Sequence, residues 1–234
     1  MAGSSNALFD HGARKAITAP FRTVLFAIIA AFVLFLGRIA IDGFFIGSDP
    51  AALAAAQAAL HDDIAQAASM PSPFASTQAR ALSWALATHE MISTRTGLAR
   101  SLLTPAQALS APEQAFQRGL HASGPFWVGI MVGTQILAVR AAILVSLLPL
   151  ALLAYAVALV DGLVGRNIRR VAGGRESATI YHRAKYFHLV ALTVTIAGYL
   201  WWPAALSPQG LFVLAIGFFA WLLRTQCQYY KKYT

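Results

Sequence analysis

Charge is what this sequence has least of. Only 12% of its 234 residues are Asp, Glu, Lys or Arg, against roughly 25% in soluble domains. With long uncharged runs and a mean hydropathy of +0.60, this deficit argues against an ordinary soluble domain and for an integral membrane protein. Cysteine is nearly absent: Cys227 stands alone, so no internal disulfide can form. Catalytic spacings are missing as well. His89-Glu90 has no second histidine four positions after the first, and no Gly-x-Ser-x-Gly or Walker pattern occurs. Cys227 has no base near it in the sequence. No acidic residue falls in the middle of an apolar run, which counts against proton-coupled transport. No alternating strand pattern appears, and no cofactor pattern, so neither strand nor cofactor is expected. The expected class is all-α.

The apolar runs set the expected layout. A cytoplasmic N-terminal segment, 1–22, precedes a first transmembrane helix over 23–41, read as an uncleaved anchor because Arg38 occupies the place of a cleavage site. Residues 42–124 form a helical outer loop. A long helix over 125–160 follows, carrying a second span from Ala141 to Val160. Those 20 residues match a ~30 Å hydrocarbon core at ~1.5 Å per residue. A basic cytoplasmic loop, 161–187, leads to a third span, 188–206. Ser207-Pro208-Gln209-Gly210 reads as a turn, and a fourth span, 211–223, ends in a cytoplasmic tail, 224–234.

Charge placement orients this layout. Residues 1–22, 161–187 and 224–234 hold three, six and three Lys or Arg, against Asp10, Asp161 and Glu176. The opposite segment, 42–124, holds four Arg against six acids. The asymmetry puts both termini and 161–187 on the cytoplasmic side of the membrane and 42–124 on the opposite side. Trp201 and Trp202 then fall at the outer interface, and Tyr181, Tyr186 and Trp221 at or near the inner one.

The outer segment reads as a small helical subdomain. Asp49 is a candidate N-cap with Pro50 at the first helical position. A second helix fits from Phe74 to about Thr96, with Gly97 at its C′ position. Leu82, Leu86 and Ile92, around Trp84, are expected to pack together or on a partner. His61-Asp62-Asp63 has ligand chemistry but reads as a solvated helix face.

Candidate sites are few. Gly165 to His188, "GRNIRRVAGGRESATIYHRAKYFH", carries Arg166, Arg169, Arg170, Arg175, Arg183 and Lys185, with Glu176 among them. Positive-inside retention, anionic-lipid contact and partner docking all explain such a cluster. DNA contact fits least, since Tyr181 is the only stacking aromatic between Arg166 and Arg183. Gly173-Gly174 lacks the neighbours of a phosphate loop and reads as a helix stop after Arg166–Ala172. Arg38 has Asp42 four residues on, an interfacial ion pair. Arg140, at the edge of the second span, is expected to snorkel. Gly129-x-x-x-Gly133 is a helix-packing pattern, within one chain or between copies. Gly198 and Gly217 are placed to let the last two helices approach.

The basic stretch also carries a resemblance. "RNIRRVAGGRESATIYHRAKYF", after a span and before a C-terminal hairpin, resembles a signature of the integrating-conjugative-element membrane proteins, a bacterial family of unknown function. Arg169, Arg170, Gly173, Gly174, Arg175, Glu176, Ser177, Tyr181, His182, Ala184 and Lys185 carry it. "TRTGL" at Thr94–Leu98 is similar to the family's outer loop. The resemblance spans about residues 20–234. It implies a setting in conjugative transfer, beside the coupling ATPase that feeds DNA to a type IV secretion channel, and implies no mechanism.

The expected function is an accessory or structural subunit of such a machine in the inner membrane, not an enzyme. It would contact membrane lipids and, through its basic loop and outer helices, the coupling ATPase or other machine subunits. A small transporter or channel, or an intramembrane enzyme, is the alternative.

Overall fold

A computed structural model describes residues 36–70, 76–97, 100–101, 111–173, 178–202 and 204–229. Every regular element among them is helical. Helix α1 covers 36–48 and meets α2, Pro50–Ala68, at Asp49. The Asp49 carboxylate accepts the Ala51 N–H at 2.9 Å, and Pro50 opens the helix, as the sequence indicates. Helix α3, Thr77–His89, continues into a π-helical stretch, Glu90–Arg95. Gly97, at φ 71°, follows it. Helix α4 is Ala111–Ala122, and α5 is Gly124–Val171.

Helix α5 runs past the expected 160 and is not broken at Pro149. Nothing in 161–171 stops it, and the chain leaves the helix only at Gly173, φ 67°. The basic segment is therefore largely helix: α6 starts again at Ala178 and ends at Trp201. Helix α7, Pro208–Gln228, begins inside the expected turn. Ser207 is its N-cap, so Pro208, Gln209 and Gly210 form the first helical turn.

Helix α5 is the organising element. Its N-terminal half buries Val139, Ala142, Ile143 and Leu147 in one core with Ala81 and Ala85 of α3, Tyr199 of α6, and Phe212 and Ile216 of α7. Helices α2 and α3 thus share a core with α5, α6 and α7. Arg80 of α3 donates to Ser146 Oγ at 2.9 Å, about a turn and a half beyond Arg140 along α5. The face of α3 that packs is small (Thr77, Ala81, Ala85), which lets the helix lie close to α5. Leu82, Trp84 and Leu86, expected to pack together or on a partner, are exposed on this chain.

The C-terminal half of α5 is the opposite: Leu148, Leu152, Leu153, Val157, Val160, Val164 and Ile168 are exposed. Helices α5 and α7 are long and apolar enough to cross a membrane, with mean hydropathies of 2.6 and 1.6. Only 22% and 17% of their most apolar stretches are buried, whereas the core helix of a soluble protein is mostly buried. Helix α6 is not a third such helix, because His182, Arg183, Lys185 and His188 occupy its first half. Most of the expected first span, 23–35, and the end of the tail, 230–234, lie outside the described residues.

Candidate functional site

Two glycine pairs bring α1 onto α5. Gly43-x-x-x-Gly47 faces Gly129-x-x-x-Gly133. A Cβ on Gly129 would lie 2.7 Å from the Asp42 carbonyl oxygen and 2.8 Å from the Gly47 nitrogen. A Cβ on Gly43 would meet the Phe126 ring at 2.5 Å. The pattern at 129–133 is therefore engaged inside the chain, by a partner pair the sequence reading missed. Gly198 and Gly217 have no such role: a Cβ on either meets nothing within 4 Å. The glycine on which α5 and α7 close is Gly162, whose Cβ would sit 2.7 Å from the Arg224 carbonyl oxygen and the Cys227 Cβ.

The crossing places two arginines at the C-terminus of α6. Arg38 Nε donates to both Asp42 oxygens, at 2.8 and 2.7 Å. The expected ion pair therefore forms, with both side chains buried in the packing. Arg38 Nη1 donates onward to the carbonyls of Leu200, at 3.2 Å, and Trp201.

Arg140 does not snorkel. It is wholly buried, with Nε donating to Asp63 Oδ2 at 2.7 Å. Its Nη1 donates to the carbonyls of Tyr199, at 3.0 Å, and Trp202, and its Nη2 to that of Ala204 at 2.8 Å. The guanidinium also lies over the Tyr199 ring, 5.6 Å from its centroid. Asp63 turns inward from α2 and is equally buried, which corrects the solvated-face reading at that position, while Asp62 is exposed as expected. His61, by contrast, is exposed and bonds the Gln57 carbonyl of its own helix at 2.8 Å. Burial pushes the Asp63 carboxyl up from its ordinary value, and the Arg140 guanidinium pulls against that shift. No signal in one sequence reveals this pair, since 77 positions separate its members.

A second polar cluster lies among the C-terminal half of α5, the first half of α6 and the end of α7. Gln226 Nε2 is 2.8 Å from His188 Nδ1 and also reaches the Ala184 carbonyl at 3.5 Å. An amide N–H only donates, so Nδ1 accepts, and Nε2 carries the ring proton toward the Tyr155 hydroxyl at 2.7 Å. The His188 ring stacks on Phe219. Three helices meet at this histidine, none of whose partners is near it in sequence.

The predicted basic residues are spread along two helix ends. Arg166 and Arg169 are half-buried in the last turns of α5, and Arg170 is exposed. Arg169 lies over the Tyr229 ring, 3.9 Å from its centroid. Arg183 and Lys185 are exposed on the first turns of α6. Arg175 and Glu176 lie outside the described residues, as does Gly174. Arg224 pairs with Asp161 across α5 and α7. Among the described residues, no group of three or more His, Cys, Asp or Glu could hold a metal ion.

The model of one protein family, described as IncC plasmid conjugative DNA transfer protein DtrJ-like, matches residues 50–231. No curated protein and no solved structure matches the chain. The match covers α2 to α7, including both Arg140 and its partner Asp63. The chain therefore belongs to the DtrJ-like family of plasmid conjugative DNA transfer proteins.

Proposed function

We propose that this chain is a multi-pass inner-membrane subunit of a conjugative type IV secretion apparatus, accessory or structural in role and without chemistry of its own. The observation that carries the membrane part is the exposed apolar surface on the inner half of α5 and along α7. The family membership carries the conjugative part. Four spans are the arrangement that the charge asymmetry favours. They are 23–41, the apolar part of α5, α6 and α7, with both termini cytoplasmic. In that arrangement the ends of α5 and α6 present Arg166, Arg169, Arg170, Arg183 and Lys185 to the cytoplasm. There they would meet anionic lipid and the coupling ATPase or other machine subunits. Helices α2 to α4 would face periplasmic subunits. Direct DNA contact is not part of this reading. Deleting the gene in a conjugating donor and complementing it tests the reading. Transfer should fall in the deletion strain, and a tagged copy should fractionate with the inner membrane and retain machine subunits. Normal transfer without the gene would overturn it.

The Tyr155–His188–Gln226 cluster favours a second reading, a small transporter or channel, because an ionisable group at membrane depth is a default functional candidate. His188→Leu separates the two. A structural subunit loses abundance and transfer together, whereas a transporter loses transfer at unchanged abundance.

A further inference from the structure

Helices α6 and α7 end together on one side of the molecule: α6 stops at Trp201 and α7 starts at Pro208. The end of α2 and the first turns of α3 are fastened to this same edge. Gln209 Nε2, in the first turn of α7, donates to the Ser69 carbonyl at 3.1 Å. Arg80 Nη1 donates to Ser146 Oγ at 2.9 Å. Nine positions further along α3, His89 Nδ1 meets Gln135 Nε2 of α5 at 2.9 Å. These two contacts set α3 antiparallel to α5. Trp84, between them, falls abreast of the stretch of α5 that holds Arg140, and Arg140 itself bonds the Trp202 carbonyl.

Trp84 and Leu82 are exposed. They adjoin Ala85 and Ala81, the residues of α3 that pack into the core. Each therefore stands at a flank of the packed face, where whatever surrounds α5 meets α3. Trp201 and Trp202 are exposed at the same level. Trp127 is not at that level, since it precedes Arg140 by about 20 Å of helix.

We propose that the edge of α3 at Leu82 and Trp84 is seated in the outer headgroup layer of the membrane, against phospholipid, and that Trp84 joins Trp201 and Trp202 in one aromatic belt. The proposal rests on the membrane reading above. It leaves to periplasmic subunits the parts of α2 and α3 that lie further out. An indole suits this layer because its body is apolar and its N–H is polar. Arg80 limits the depth, because a guanidinium is tolerated among headgroups and costly at the bilayer centre. Gln78 and Ser83, exposed on the same turns, are polar as well.

Trp84 supplies its own reporter. The full chain is reconstituted into phosphatidylcholine vesicles whose acyl chains carry bromines either close to the headgroup or close to the chain end, and these bromines quench nearby indoles. Subtracting the emission of Trp84→Phe isolates Trp84. The variants Trp127→Phe, Trp201→Phe and Trp202→Phe supply the comparisons. Trp84 should be quenched to the same extent as Trp201 and Trp202, more by the shallow bromines than by the deep ones, with Trp127 unquenched. Leu82→Glu, at an exposed position, should weaken the quenching of Trp84 and leave that of Trp201 unchanged. Unquenched Trp84 beside quenched Trp201 and Trp202 would overturn the proposal and leave the ring to water or to a periplasmic subunit. Stronger quenching of Trp84 by the deep bromines would overturn it too, by placing the ring among acyl chains. If no tryptophan were quenched, the membrane reading itself would fall.

Discussion

Arg140 of α5 and Arg38 of α1 share between them the last carbonyls of α6. A helix leaves its final four C=O groups without intrahelical partners. Here the Gly198 carbonyl accepts from Trp202 N–H at 2.9 Å, that of Tyr199 from Arg140, and those of Leu200 and Trp201 from Arg38. Two positive charges also oppose the negative end of the helix dipole. Each arginine is in turn neutralised by a buried aspartate.

Arg140→Leu should therefore be severe. It strands Asp63 as a buried charge and strips carbonyls of their donors, a loss of about 3–5 kcal/mol for breaking a buried pair. Arg140→Lys should rescue little, because a single ammonium cannot serve Asp63 and three carbonyls in fixed directions. Asp63→Asn should be milder, since the amide oxygen still accepts. The thermal unfolding midpoint of the detergent-solubilised protein ranks the three. A lysine variant as stable as wild type would refute the fork argument.

The glycine crossing gives a contrast within one chain. Gly129→Val pushes α1 off α5, because the added carbon would sit 2.7 Å from backbone. Overpacking of this kind costs about 1–3 kcal/mol. Gly198→Ala and Gly217→Ala meet open space and should shift stability by no more than about 0.5 kcal/mol. The same unfolding assay decides it, and equal losses at all three positions would contradict the assigned contacts.

What the sequence showed well was local. Asp49-Pro50 marked a helix start and Gly97 a helix end because cap chemistry sits within a few residues of the break. The long helix through Arg140 followed from the absence of any breaker there. What it hid was relational. Asp63 and Arg140 each looked solvated because polar residues at an apolar boundary usually are, and only α2 folding onto α5 pairs them. Gly217 looked like Gly129 in the sequence, and packing alone separates them. The basic stretch, by contrast, was legible both as charge and as a helix stop at Gly173, whose positive φ divides it between two helix ends.

The four-span arrangement predicts the behaviour of reporter fusions. A phosphatase fused near Met70 should be active, and one fused at Thr234 or between 165 and 185 inactive, with the opposite pattern for a cytoplasmic fluorescent reporter. An active phosphatase at Thr234 would require an odd number of spans.

The basic stretch separates charge from shape. Positive-inside orientation needs only positive charge, whereas a carboxylate-bearing partner uses the planar guanidinium. Arg169, Arg170 and Arg175 replaced together by Lys should leave topology and membrane abundance unchanged and lower mating frequency by about tenfold, a loss of ~1.4 kcal/mol in docking. Arg169 also stacks on Tyr229, so Tyr229→Leu serves as the control that removes that contact alone. If Tyr229→Leu reproduced the whole defect, Arg169 would act by placing the tail and not by meeting a partner. Gly173→Val tests the geometry from the other side, since φ 67° is strained for a β-branched residue and the end of α5 would have to reshape. Transfer should fall in that variant with all six basic residues of the stretch retained. Wild-type transfer by both the lysine variant and Gly173→Val would leave the stretch as a topology signal only.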